Sequence, residues 1–458
     1  MLDTTIILVY FFITLIFGFY KGSNIKSVSD YAVGSRSYAL PIMVATITAT
    51  WICGGTTFGF TESIHSQGIA LLLVAMGEPL NLIVAAFFLI KRFEIFDHNL
   101  SVGEIIGDYY GKWPRLITGL CGALSCAGIV GAQVSVVGLI AHYFLEMPYI
   151  LGVIFGCGIV ILYSAFGGIK AVTATDVIQF AVILVAIPMV CNVGIYQVGG
   201  IKAFFNQIPP HLLELPHEPT VITNYVFMCI GFGLPFLDPA IMQRLLMAQN
   251  QKQRRSMLVI GGLVAIPVYL LVGIIAFVSA ILYPGIESSL AFAHLINTTL
   301  PAGVKGIAVI GLFSVVMSTA DSYLNAAGIC LVHDTIKPLS SMSEEQELLV
   351  TRLTTLLLGI FATVVALSFS SILNMMLFSF NFWGPIIVIP LYAILLGYKV
   401  NANCFFGGAI CGALTFTVWY FVIQPQFGIS GLIPGLMGNF MGFAMTYLWQ
   451  QHYQVAKI

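Results

Sequence analysis

Charge is what this chain has least of. Only 8% of its 458 residues are Asp, Glu, Lys or Arg, against roughly 25% in ordinary soluble domains. With 59% of the residues hydrophobic, one soluble core has too much apolar surface to hide, so a soluble enzyme is excluded. The 18 basic and 19 acidic residues nearly cancel, which removes any polyanion-binding face and with it a nucleic-acid partner. Redox and metal patterns are missing as well. The nine cysteines form no CxxC pair and have no histidine partner at metal-ligand spacing, so they read as small buried hydrophobes. The eight histidines include no HExxH and no i, i+4 pair, and no phosphate-binding loop is written anywhere.

What remains is long apolar blocks. Mean hydropathy is +0.98, and the blocks run to about twenty residues or more, the length that crosses a bilayer as helix. About thirteen candidate spans follow from this length rule. They fall near 4–22, 40–66, 68–91, 114–143, 148–166, 172–198, 221–246, 256–283, 304–333, 349–370, 372–398, 404–423 and 429–449. The first is no cleavable signal peptide, because Asp3 precedes its apolar run and Lys21 follows directly. The chain therefore reads as one all-α polytopic membrane domain. Residues 92–113 read as an amphipathic helix on the inner surface, and Ser341 to Glu347 as a helix N-cap with solvated acids.

Orientation follows from the basic residues. With the N-terminus outside, only Lys202 and Lys305 fall on outer connections. The other basic residues, Arg244 and Lys457 among them, fall on inner connections or on the C-terminal tail. The expectation is N-terminus out and C-terminus cytoplasmic, with the bilayer as an obligatory partner.

Two spans are badly written as plain helices. Ala49 to Ser63 carries adjacent Gly54 and Gly55, and Gly231 to Ala240 carries two glycines and two prolines around Asp238. Proline removes a backbone donor and glycine weakens helix. An unwound segment survives in hydrocarbon only where it lines a cavity or is buried in protein. The breaks lie five spans apart, as an inverted repeat of secondary transporters would place them; unrelated packing kinks are the alternative. Glu78, Asp176, Asp238 and Asp321 sit inside or at the edge of spans, where a carboxylate is costly unless paired or hydrated. With no Lys or Arg counted as an intramembrane partner, they point to a hydrated pathway or bound cations, or individually to structural roles.

Three segments carry a family resemblance. YSAFGGIKAVTATDVIQ at 163–179 resembles a long signature of the sodium:solute symporter family, VVMSTADSYLNAAG at 315–328 its Met-Ser-Thr segment, and PAIMQRLLMA at 239–248 its Gln-Arg helix end. The resemblance implies a leucine-transporter-like fold with two inverted five-helix repeats, at 40–198 and 221–398. A leading helix and inner loop (1–39) precede them and two helices (399–458) follow. It implies a sodium-coupled secondary active symporter importing a small polar organic solute by alternating access, with Na+ as coupling ion, no organic cofactor, no enzymatic activity and no evident obligatory protein partner. The implied location is a bacterial plasma membrane.

Site residues carry over by motif. The family's sodium ligands match the carbonyls of Ala49, Ile52 and Val315 and the hydroxyls of Ser318 and Thr319. A second cation in some members matches Asp176, Asp321 and Ser322, with Asp321 replacing a serine; a proton on one carboxylate is the alternative. Trp51 stands where proline symporters of the family carry Asp, which disfavours proline itself. Asp238 and Thr56 align with sugar-contacting amides, and Asp238 in place of an amide favours an amine or zwitterion such as an amino acid. Glu78, Trp51, Phe236 and Trp383 complete the candidate solute set. A sugar, carboxylate or vitamin symporter, or a proton-coupled or passive facilitator on the same scaffold, stays open.

Overall fold

A computed structural model describes residues 2–23, 25–34, 36–367 and 372–455. Every regular element among them is helical. Lys457 lies outside the described residues. The chain opens with α1 (Leu2–Gly22) and a short α2 (Val28–Ala32). The first broken span follows as α3 (Leu40–Trp51), a π turn at Gly55–Gly59 and α4 (Phe60–Gln67). The halves are bent by 51°. Next come α5 (Ile69–Ala75) and α6 (Gly77–Phe88), then α7 (Val102–Tyr110), α8 (Lys112–Leu145) and α9 (Tyr149–Gln197).

Two expected spans share α9. They meet at Gly168, whose φ of 49° and ψ of −157° lie where only glycine sits without strain. Beside that turn Gly22 of α1 packs so closely on the backbone of Gly167 that it could not carry a Cβ, and a Cβ on Gly167 would meet that of Ala171.

The second half begins with α10 (Ile201–Gln207), α11 (Pro219–Gly233) and α12 (Pro239–Met247). Residues 234–238 between the last two are unwound. Then follow α13 (Gln251–Leu282), α14 (Ala291–Thr299), α15 (Val304–Ile329), α16 (Glu344–Ala366), α17 (Ile372–Phe380) and α18 (Gly384–Leu396). The last pair is a third broken span, bent by 52°, which the sequence reading did not single out. The chain closes with α19 (Ala402–Val418), the single turn α20 (Gln424–Phe427) and α21 (Leu432–Val455).

Burial sorts these helices into layers. The most apolar stretches of α8 and of α15 with its extension are 83% and 89% buried, whereas those of α1 and α16 are 28% and 33% buried. The first pair forms the centre, and the others present apolar side chains outward, as helices in lipid do. Eight helices among the described residues are long and apolar enough to cross a membrane, or ten when each bent pair counts once. The expected thirteen stretches all carry helix. By that criterion the count falls short by three, because two stretches share α9, one is divided between α11 and α12, and α21 is not apolar enough along its length to count.

Two smaller expectations need correction. Residues 92–113 do not simply lie on a surface: α7 buries Ile105, Ile106 and Tyr110. Ser343 does cap α16, with a full capping box to Gln346. Glu347, however, is buried rather than solvated, accepting from His333 Nδ1 at 2.6 Å and forming an ion pair with Lys337 at 2.6 Å.

Candidate functional site: two broken helices around a cavity

The first break turns α3 into a source of free backbone oxygen. At Ile52 the chain leaves the helix (φ −78°, ψ 100°), and the amide of Gly54 is instead taken up by Gln133 Oε1 at 2.8 Å. Opposite stands α15. Ser318 Oγ donates to Ala49 O at 2.8 Å and to Val315 O at 3.1 Å. Thr319 Oγ1 donates to Thr50 O at 3.0 Å and to Val315 O at 3.3 Å. Ala49, Ile52, Val315, Ser318 and Thr319 are all buried. Of the expected sodium set, Ala49, Val315, Ser318 and Thr319 are thus gathered where α3 meets α15, with Thr50 as an additional oxygen and Ile52 at the end of α3. Each hydroxyl keeps lone pairs while donating, so this all-oxygen set suits a hard monovalent cation, as carbonyls freed at unwound helices do.

One turn further along α15 the expected second cation set also comes together, but with a cation of its own. Arg244 of α12 is fully buried and its Nη2 lies 3.3 Å from Asp176 Oδ2. The same group donates to Ser322 Oγ, and Nη1 donates to Ala240 O at 3.0 Å. Asp176 also accepts from Thr46 Oγ1. Asp321 accepts from Tyr163 OH at 2.6 Å and from Ser322 Oγ at 3.3 Å. Thr50 Oγ1 lies 3.0 Å from Ser322 Oγ and joins this cluster to the sodium set. Two expectations are corrected here. Arg244 is not a basic residue on an inner connection, and the intramembrane acids do have an arginine among them. A guanidinium supplies the planar fork that buried carboxylates need.

The second break is held open by side chains that satisfy its backbone. Asn81 Nδ2 donates to the carbonyls of Phe232 (3.1 Å) and Leu234 (2.6 Å). Tyr392 OH donates to Pro235 O at 2.7 Å, and Trp383 Nε1 to Phe236 O at 2.9 Å. Leu237 adopts a left-handed φ of 47°, uncommon for a residue with a branched side chain. Asp238 then caps α12, its Oδ1 accepting from the amides of Ala240 (3.0 Å) and Ile241 (3.2 Å). Its Oδ2 accepts from Tyr323 OH at 3.1 Å.

Between the two breaks lies a cavity of about 60 Å³, lined by Trp51, Cys53, Glu78, Asn81, Phe236, Asp238, Thr319 and Tyr323 together with Leu432 and Ile433 of α21. Of the expected solute residues, Trp51, Glu78, Phe236 and Asp238 line it. Thr56 and Trp383 do not. Thr56 Oγ1 is engaged with Tyr269 OH at 3.0 Å, and Trp383 is wholly buried as a brace for the unwound segment. Among the described residues no Lys, Arg or His lines the cavity. The indole N–H of Trp51 is buried without a hydrogen-bond partner among the described residues. Thr319 both lines the cavity and belongs to the expected sodium set, so the two candidate sites share a wall.

Sequence reasoning missed Asn81, Tyr323, Tyr392 and Arg244. Arg244 left a trace in the Gln-Arg helix end and Tyr323 in the Met-Ser-Thr segment, but the position of Arg244 near the end of a span hid its burial.

Comparison with known proteins decides the family. The family model described as "Sodium:solute symporter family" matches residues 31–413. The chain belongs to the sodium:solute symporter family. It is therefore an integral membrane transporter, not an enzyme, and its coupling ion is sodium. Among its relatives, the sodium/proline symporter 2 of Staphylococcus saprophyticus is 25% identical over 94% of this chain and 90% of its own length. The osmoregulated proline transporter of Bacillus subtilis is 22% identical, over 94% of this chain and 91% of its own length. Among solved structures, a Na+-coupled sialic acid symporter in a substrate-bound outward-open state superimposes with a TM-score of 0.83, at 19% identity and covering 98% of both chains. A nucleobase-cation-symport-1 family transporter in a closed conformation gives 0.59, at 14% identity over 91% of this chain and 94% of its own. These likenesses fix the leucine-transporter-like fold of the symporter.

Proposed function

We propose that this symporter imports a small zwitterion or amine, of the amino-acid class, through the cavity between its two broken helices. The observation that carries the reading is the charge of that cavity: Glu78 and Asp238 line it, and no basic side chain does so among the described residues. Asp238 is largely committed to capping α12 and to Tyr323. Glu78 makes no ion pair among the described residues and is the counter-charge for a substrate ammonium. The unpaired indole N–H of Trp51 is a donor for a carboxylate. On the same measure of volume a single water needs roughly 10–15 Å³, so a cavity of about 60 Å³ favours a compact solute over an oligosaccharide. The names of the relatives, proline carriers among them, support the amino-acid class; Trp51 in the wall argues against proline itself.

The sodium ion binds at Ala49, Ile52, Val315, Ser318 and Thr319 and bridges α3 to α15. Because Thr319 also lines the cavity, an ion held there orders the solute wall, and linkage requires each ligand to strengthen the other equally. The repeats at 40–198 and 221–398 move against each other in alternating access, with the basic face toward the cytoplasm. The relatives support a bacterial plasma membrane.

A ligand that binds only the folded state raises its apparent stability. Thermal unfolding of the purified protein against amino acids, polyols, sugars and carboxylates, each with and without sodium, therefore tests the reading. Amino acids should stabilise wild type in sodium and fail to stabilise Glu78→Gln. A sugar or a simple carboxylate acting equally on both proteins would replace the proposal.

A further inference from the structure

Away from the sodium and solute sites, a groove of about 420 Å³ opens on the surface of the bundle at its basic face. Phe17 and Lys21 of α1, Ile42 of α3, and Lys170, Thr173 and Val177 of α9 form its walls. One end is apolar and the rim is basic. Lys21 is exposed, stands 5.7 Å above the rings of both Phe17 and Tyr20, and has no carboxylate partner among the described residues. Lys170 shares its charge with Asp30 at 2.5 Å, so the rim keeps one uncompensated positive charge. Tyr38 and Thr173 add two buried hydroxyls that face each other and have no further hydrogen-bond partner among the described residues. In a membrane such groups need a polar partner.

We propose that this groove binds one anionic phospholipid. Its phosphate lies between Lys21 and the Tyr38 and Thr173 hydroxyls, and an acyl chain runs along Phe17, Ile42 and Val177. The positive rim complements an anionic headgroup, and the apolar end distinguishes a whole lipid from a free phosphate. The position has a consequence for transport. Ile42 is one turn from Thr46, whose hydroxyl donates to Asp176, and Val177 follows Asp176 on α9. The lipid therefore flanks the outer side of the wall that carries the acid cluster, on the same helix, α3, that presents Ala49 to sodium.

Native mass spectrometry of the full-length protein in detergent tests this, with phosphatidylglycerol, phosphatidylcholine of the same acyl chains, and glycerol phosphate as probes. Wild type should retain one phosphatidylglycerol far longer than phosphatidylcholine and should not retain glycerol phosphate. Each lysine at an anionic surface is worth about fivefold (~1 kcal/mol), so Lys21→Glu should weaken retention about 25-fold. Ile42→Trp, which fills the groove and leaves the charges alone, should weaken it at least about fivefold. Lys305→Glu, at a half-buried position in the first turn of α15 held to Asn297, should leave retention unchanged. Thermal unfolding of each variant checks that it is folded. Equal retention of the two lipids, an unaltered Lys21→Glu, or a loss in Lys305→Glu as large as in Lys21→Glu would overturn the proposal. Competition by glycerol phosphate as strong as by whole lipid would overturn it too, and would assign the rim to a free phosphate.

Discussion

Removing the guanidinium of Arg244 should be the most damaging single change in the acid cluster. In the folded protein it lies between Asp176 and Ser322 with no exposed surface, and Asp321 stands beside Ser322. Arg244→Met keeps the apolar stem and deletes the charge, leaving two buried carboxyl groups around a vacated donor. Breaking a buried pair by removing one partner costs about 3–5 kcal/mol. Asp176→Asn removes one negative charge and keeps an acceptor for Thr46, so the loss should be about 1–3 kcal/mol, that of an imperfectly satisfied buried polar group. Asp321→Asn should cost least, because it leaves one carboxylate facing one guanidinium. Arg244→Met/Asp176→Leu should recover much of the single-variant loss, since apolar replacement of a buried pair is often neutral. The assay is thermal unfolding read by a fluorogenic thiol reagent, for which the buried cysteines, Cys126 and Cys330 among them, are natural reporters. The expected order of stability is Asp321→Asn, then Asp176→Asn, then Arg244→Met. An Arg244→Met protein as stable as wild type, or a double variant no better than it, would refute the reasoning.

The other expectations are smaller in scale. Trp383→Phe removes the donor to Phe236 O and should cost about 1 kcal/mol, weakening solute affinity in a binding titration without moving sodium affinity. Leu432→Ala enlarges the cavity wall contributed by α21, so the uptake ratio of bulkier to smaller amino acids should rise. Burial tends to raise the Glu104 carboxyl, but the hydrogen bond and charge of His333, the Leu100 amide and Arg115 outweigh it and hold it down at about 2 from an ordinary 4.5. A carboxylate depressed in this way stabilises the fold fully above its unfolded value and loses that contribution as pH falls from about 4.5 toward 2. The melting temperature of wild type should therefore fall more steeply over that interval than that of Glu104→Gln.

Much of the architecture was legible because apolar length and helix breakers act locally. Gly54 and Gly55 weaken α3's continuation, and Pro235 with Asp238-Pro239 interrupts α11, whatever packs around them. The break before Gly384 escaped notice because Trp383, Gly384 and Pro385 also suit an ordinary helix start. The residues that brace the breaks were illegible for a different reason. Asn81 and Tyr392 are single polar side chains in apolar spans, with no periodicity to mark them, and their partners are backbone carbonyls on another helix. Arg244 was misplaced because a basic residue near the end of a span looks like a cytoplasmic anchor, and only tertiary packing buries it against Asp176. The candidate sodium set rests on the family resemblance alone; taken by itself, Ser-Thr in a helix more often bonds back to its own preceding turn. Here each hydroxyl bonds both ways, to Val315 and across to α3.

The measurement that bears most directly on the proposed coupling is uptake of the best stabilising amino acid into proteoliposomes, under an imposed sodium gradient and then under an imposed pH gradient in sodium-free buffer. Ser318→Ala and Thr319→Ala each remove one hydroxyl from the α3–α15 junction and leave the carbonyls in place. Wild type should accumulate solute only with the sodium gradient. Both variants should need markedly more sodium for half-maximal uptake and recover in part when sodium is raised. Full uptake on the pH gradient without sodium, with both hydroxyl variants behaving as wild type, would contradict the account.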